Sequence, residues 1–116
     1  MRILEVSVSS FEATLERFAQ VWETGRGDPT PRHSFVSWNL LHKVLAPNRM
    51  SILMAMRGAG PMSIREVARR VERDFKGVHS DIKALILSGL VDKTEDRMVI
   101  FPYDDIHIDY RASSAA

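Results

Sequence analysis

Apolar and polar residues interleave at the start of the chain. Ile3, Leu4, Val6 and Val8 lie among Arg2, Glu5 and Ser7, which predicts a strand over 1–8. The period then lengthens. Phe11, Leu15, Phe18, Ala19 and Trp22 fall on one helical stripe, with Glu12, Glu16, Arg17 and Glu23 on the other side. Ser9 with Glu12 is a capping box that opens this helix, and Gly25 after Thr24 closes it. Residues 26–32 read as a linker, and His33–Val36 as a short strand. Ser37 caps a helix over 38–45 that puts Trp38, Leu41 and Leu45 on one side. Pro47 starts another helix, to about Arg57, with Met50, Leu53, Met54 and Met56 as its apolar face. Gly58, Gly60 and Pro61 break it.

The stretch from Ser63 to Val91 carries the clearest pattern. Ser63 and Glu66 form a second capping box, and Ile64, Val67, Ala68 and Val71 recur at helical spacing among Arg65, Arg69 and Arg70. Asp74 is positioned to cap the next helix. That helix puts Phe75, Val78, Ile82, Leu85 and Ile86 on one face. At about 100° per residue, Lys76, Ser80, Lys83 and Leu87 point the other way, with Gly77 and His79 on the flanks. Gly89 supplies a left-handed C-cap. Leu90–Lys93 and Met98–Phe101 then read as a β-hairpin with Glu95, Asp96 and Arg97 at its tip. Two helices across a tight turn followed by a hairpin are the pattern of a winged helix. A turn at 102–105 leads to a strand over 106–110. The strands at the two ends can pair with each other or with a second subunit, and alternation does not choose.

The expected fold class is therefore α+β: a winged helix-turn-helix with an N-terminal strand-helix-strand extension. Residues 1–45 are the extension, ending in the 38–45 helix, for dimerisation or partner binding. Residues 46–111 are the DNA-binding domain, and 112–116 a disordered tail. On this division, removing 1–32 is expected to leave the fold of 47–110 intact.

Composition narrows the function. No apolar run approaches the ~18–20 residues that span a bilayer, and Glu5 interrupts the only apolar stretch at the N-terminus, so neither a membrane span nor a signal peptide is expected. The chain has no cysteine, which removes disulfides, thiolate metal sites and cysteine nucleophiles and fits a cytoplasmic protein. The net charge of +1 is uneven: 0 over 1–46, +3 over 47–97 and −2 over 98–116. The excess falls on the helix pair and hairpin. It is modest, which argues for binding DNA as a dimer with two half-site contacts. No glycine-rich phosphate loop, nucleophile motif or zinc motif occurs, and polar alternation accounts for Asp104, Asp105, His107 and Asp109 better than a metal site does. No enzyme activity and no cofactor are expected.

Residues 46–71, the segment Val78-His79-Ser80-Asp81-Ile82-Lys83-Ala84-Leu85 with Gly89-Leu90-Val91, and Phe101 to Asp109 together resemble a family of small MarR-like winged-helix transcriptional regulators of bacteria and archaea. Leu15-Glu16-Arg17-Phe18 and Ser34-Phe35 to Trp38 also fit, so the resemblance covers nearly the whole chain. It implies double-stranded DNA as partner. Because some members act as antitoxins of a cognate ribonuclease toxin, it also implies, less directly, toxin neutralisation with repression of the protein's own operon. The family carries a basic residue or Asn at one or both of the positions held here by Gly77 and Ser80, so the base contacts implied here are fewer or different.

Position assigns the contacts. Lys76, His79, Ser80 and Lys83 face the major groove, and Gly77 allows close approach. Ser63 with its helix amides, Arg65, then Arg69 or Arg73, and Arg97 are placed for phosphate. Arg69 and Arg70 can instead pair with Glu66 or Asp81, and Asp81 is expected to face inward or cap. Phe11, Leu15, Phe18, Trp22, Ile106 and Ile108 are the candidate partner or dimer surface. The alternative function is a protein-interaction module whose winged helix is structural.

Overall fold

A computed structural model describes residues 1–9, 11–25 and 31–110. In chain order the elements are β1 (Ile3–Val8), α1 (Phe11–Thr24), β2 (Arg32–Phe35), α2 (Trp38–Val44), α3 (Pro47–Met56), α4 (Ile64–Val71), α5 (Phe75–Leu87), β3 (Asp92–Lys93), β4 (Val99–Ile100) and β5 (Asp105–Asp109). Residues 26–30 of the linker expected over 26–32, and 111–116 with the expected tail, lie outside the described residues. So does residue 10.

The question of the two end strands is answered within the chain. β1 is the central strand of a sheet ordered β2-β1-β5, and both neighbours run parallel to it. Glu5 pairs with Arg32 on one side and His107 on the other; Val6 pairs with His33 and Ile108. Strand pleating then separates two faces. Leu4, Val6, Val8 and Phe35 point inward and are buried, with Ile106 packed against them. Glu5, Ser7, Arg32, Ser34, His107 and Asp109 line the opposite, polar face.

The sheet and the helices share one core. It runs from Leu4 through Leu41, Leu45, Ile52, Leu53, Met56, Val67, Val78, Ile82 and Leu85 to Val99 and Phe101. Deleting 1–32 would therefore remove the middle strand of the sheet and three buried side chains. Contrary to the expectation from segment boundaries, the fold of 47–110 is not expected to survive that deletion; loss of the cooperative unfolding transition would show it.

Local chemistry explains the helix pair. The Ser63 hydroxyl accepts from the Glu66 amide, and the Asp74 carboxylate accepts from the Gly77 amide at 2.8 Å. The Ser63–Glu66 capping box is half formed, because the Glu66 carboxylate goes to Arg69 and Arg70. α4 stops at Glu72, which adopts the left-handed conformation (φ 55°). Its neighbour's amide, on Arg73, donates back to the Ala68 carbonyl. α5 ends at Leu87, and just past it Gly89 is left-handed (φ +85°), the Leu90 amide donates to the Leu85 carbonyl and Leu90 itself is buried. Ser37 caps α2 as expected.

The hairpin is tied to the helices. Met62, just before α4, exchanges both backbone hydrogen bonds with Val99. Its tip is closed by the Thr94 amide donating to the Met98 carbonyl, with Arg97 left-handed at φ 60°. Past the hairpin, the Asp104 carboxylate accepts from the Arg2 amide and the Asp104 amide donates to the Arg2 carbonyl. Asp104 thus fastens the first strand to the loop before β5. The face of α3 differs from expectation: Ile52, Leu53 and Met56 are fully buried, while Met50 and Met54 only border the core.

His33 sits on the inward row, its ring 4.8 Å from that of Phe35. Burial holds its imidazole below the ordinary value of 6.5. The fold favours the neutral form, so the unfolded chain takes up the proton first. Stability is then full above about pH 6.5 and falls as pH drops below it. Replacing His33 by Gln is expected to flatten that fall in melting curves taken between about pH 7 and 5.

Candidate nucleic-acid interface

α5 divides its residues sharply. Val78, Ile82 and Leu85 are completely buried, whereas Lys76, His79, Ser80, Lys83 and Leu87 are exposed on the other side. Lys76 and Lys83 make no ion pair with any described residue. Nor does Arg97, exposed at the tip of the hairpin. Leaving cations unpaired on one solvated face costs nothing in water and provides a surface of positive potential.

The other basic residues of this region are divided differently. Arg69 and Arg70 both bind the Glu66 carboxylate along α4, at i+3 and i+4. Hydrogen bonds from Arg69 and then Arg70 hold that carboxyl well below the usual range, at about 2. This exposed cluster keeps its charge until strongly acid pH: its contribution is present above about pH 4.5 and fades as pH falls toward 2.

Arg73 does not stand free for phosphate. Its guanidinium donates to Asp81 at 2.9 Å, and Arg49 of α3 donates to the other oxygen of the same carboxylate at 3.3 Å. Asp81 is only 18% exposed and its two partners about a quarter exposed. The three groups bind α3, the turn and α5 together. As expected, Asp81 faces inward, but its partners are Arg49 and Arg73 rather than Arg69 or Arg70. Arg49 also donates to the Lys43 and Val44 carbonyls at the end of α2.

Gly77 has a local reason. A Cβ there would stand 3.1 Å from an Asp74 carboxylate oxygen and 3.2 Å from the Arg73 guanidinium. Asp74 is held by its capping bond and Arg73 by Asp81, so neither yields without losing a partner. The glycine makes room for the cap and the ion pair.

Arg65 and Phe75 form a contact that residue spacing did not suggest. Phe75, placed by helical spacing on the core stripe, is 43% exposed. The Arg65 guanidinium covers its ring at 5.1 Å from the centroid, and the His79 ring lies 5.7 Å away. Lys93 is also new. With Ile64, His79, Ile82, Lys83 and Ile86 it lines a 160 Å³ hollow between α4, α5 and the hairpin. Alternation puts Lys93 on the side of Val91 and of its pairing partner Val99, both buried, so the sequence carried no signal for its exposure.

The residues expected at a partner surface separate into two places. Leu15, Phe18 and Trp22 are exposed on α1, with Trp22 81% exposed and its ring stacked 6.5 Å from that of Phe18. The side chain of Phe11 lies outside the described residues. Ile106 packs against the chain's own core, and Ile108 is exposed at the edge strand β5. Near it, the His107 imidazole sits 3.7 Å from the Glu5 carboxylate. Among the described residues, no three His, Asp or Glu side chains gather as metal ligands, and no helix is long and apolar enough to cross a membrane.

A family model described as HVO_A0114 matches residues 44–108, more than half of the chain. The match begins at the end of α2 and takes in α3, α4, α5, the hairpin and nearly all of β5. No curated protein and no solved structure matches.

Proposed function

The chain belongs to the HVO_A0114 family, and from the geometry of the segment that places it there we propose a sequence-specific DNA-binding transcriptional regulator built on a winged helix-turn-helix over 46–111. One observation carries the reading: α5 holds Lys76, His79, Ser80 and Lys83 on an exposed face, with no acidic partner for either lysine among the described residues. In this reading α5 lies in the major groove, Lys76, His79 and Ser80 reach base edges, and Lys83 reaches base or phosphate. Ser63, Arg65 and the α4 amides meet one backbone, and Arg97 on the hairpin meets the adjacent one. Arg73 and Gly77 position α5 and do not touch DNA. A homodimer supplies two half-sites.

Resemblance to MarR-like regulators extends the proposal to autorepression in the cytoplasm and to an antitoxin role beside a ribonuclease toxin, with no enzymatic activity of its own. A second reading, a protein-interaction module, is favoured by α1. Phe18, Ala19, Trp22 and Glu23 line a 350 Å³ hollow on it. Exposed aromatic anchors on a helix suit a protein partner, and an antitoxin uses both surfaces.

The test is a mobility shift of the full chain on the DNA upstream of its own coding region, at two salt concentrations and with unrelated competitor. A complex that survives competitor supports the regulator. A complex lost equally to any DNA, or none, removes sequence reading and leaves the interaction module.

A further inference from the structure

The contact between Phe75 and Arg65 asks for an explanation that packing does not supply. Three apolar residues of α5, Val78, Ile82 and Leu85, have no exposed surface, yet Phe75 at the first position of the same helix leaves 43% of its surface in water. Its orientation is held from outside the core. Arg65, on the first turn of α4, lays its guanidinium over the ring, and His79, one turn along α5, tilts its imidazole toward it at 38°. The ring is thus an exposed apolar surface, framed by cationic or polar groups, at the helix end that leads into a groove.

The major groove offers one apolar feature at its base edges, the C5-methyl group of thymine. Residues at the N-terminal end of a reading helix are those that reach the base edges. Leu87 is more exposed, at 83%, but it stands about 18 Å further along α5, at the far end. Phe75 is therefore the residue whose chemistry and place coincide with that methyl group.

We propose that Phe75 is a specificity-determining residue that reads a thymine methyl group, with Arg65 stacked on its ring as a positioning residue. The inference rests on the reading of α5 as the DNA-contacting helix and adds a base preference to it. Phe75 confers a preference for thymine that hydrogen bonds from Lys76, His79 and Ser80 do not require.

The experiment uses the full chain and a short duplex that the wild-type protein selects from a random-sequence pool. That duplex is made once with thymine and once with uracil, which lacks only the methyl. The wild type is expected to bind the uracil duplex about fourfold more weakly for each methyl it contacts. Phe75→Ala is expected to lose a similar factor on the thymine duplex and to bind both duplexes alike. Equal affinity of the wild type for the two duplexes overturns the inference. A Phe75→Ala variant that still prefers thymine also overturns it, because the methyl is then read elsewhere. A pool from which nothing is selected overturns the parent reading, and this one with it.

Should Phe75→Ala fail to fold, the wild type decides the matter. Thymines replaced by 5-iodouracil are photo-crosslinked and the adduct is mapped by mass spectrometry. An adduct on Phe75 supports the inference, and adducts confined to other residues overturn it.

Discussion

Replacing Asp81 by Ala is expected to lower the stability of the fold by about 3 kcal/mol, which for a chain of this size moves the melting temperature down by roughly 10 °C. The carboxylate is mostly buried and serves two guanidiniums at once, Arg73 at 2.9 Å and Arg49 at 3.3 Å. Its removal leaves two partly buried cations with no counter-ion, and the penalty for that exceeds the loss of an exposed pair. Asp81→Asn keeps the shape and part of the hydrogen bonding, so a smaller loss is expected. Thermal unfolding at neutral pH measures both. The effect should be strongly non-additive with Arg73→Met, because the two substitutions remove the same bond. A loss under about 0.5 kcal/mol would place the triad with ordinary surface ion pairs. Since Asp81 joins α3, the turn and α5, the variant is also expected to bind DNA less tightly even where it remains folded.

The second large effect concerns binding. Lys76→Ala and Lys83→Ala together are expected to weaken the DNA complex roughly 30-fold at low salt and to flatten the slope of log K against log salt by about one unit for each of the two that contacts a phosphate. Neither lysine has an ion-pair partner among the described residues, so the double variant should melt within about 0.5 kcal/mol of the wild type. Titrations at several salt concentrations give the slope. A reduced slope for one lysine alone assigns the other to a base edge. An unchanged slope for both removes them from the phosphate contacts.

Much of the helix pair was legible because its boundaries are set by local chemistry. A serine or aspartate at the residue before a helix accepts from an amide of its first turn, a bond made within four residues, and Ser37, Ser63 and Asp74 all make it. Gly89 marks the C-terminal cap for an equally local reason. The sheet was less legible. β1 and β5 both alternate, but alternation states only that a strand has two faces, not which strand lies beside it. Their pairing joins residues about a hundred positions apart, and Asp104 fastens it through the backbone of Arg2.

The misplaced side chains have related causes. Phe75 lies at the edge of the apolar stripe of α5, but at the first position no preceding turn of α5 covers it, and α4 reaches it through the Arg65 guanidinium. α3 packs against both α4 and α5, so its buried face is rotated to Ile52, Leu53 and Met56. The position of Arg73 in the turn suits a phosphate contact. Its engagement with Asp81, eight residues on, depends on the crossing of α4 and α5. Ile106 is similar: as an alternating residue it suits an interface, and the parallel pairing with β1 directs it to the chain's own core.

One face of this molecule, the outer side of α5 with the start of α4 and the hairpin tip, is proposed to meet DNA. Amide chemical-shift changes on adding a duplex selected by the protein test it residue by residue. The account predicts that the large changes fall on 63–66, 74–83 and the hairpin tip around Arg97, with β1, β2 and α1 little altered. Changes concentrated on α1 or on the polar face of the sheet, with α5 unmoved, would contradict it.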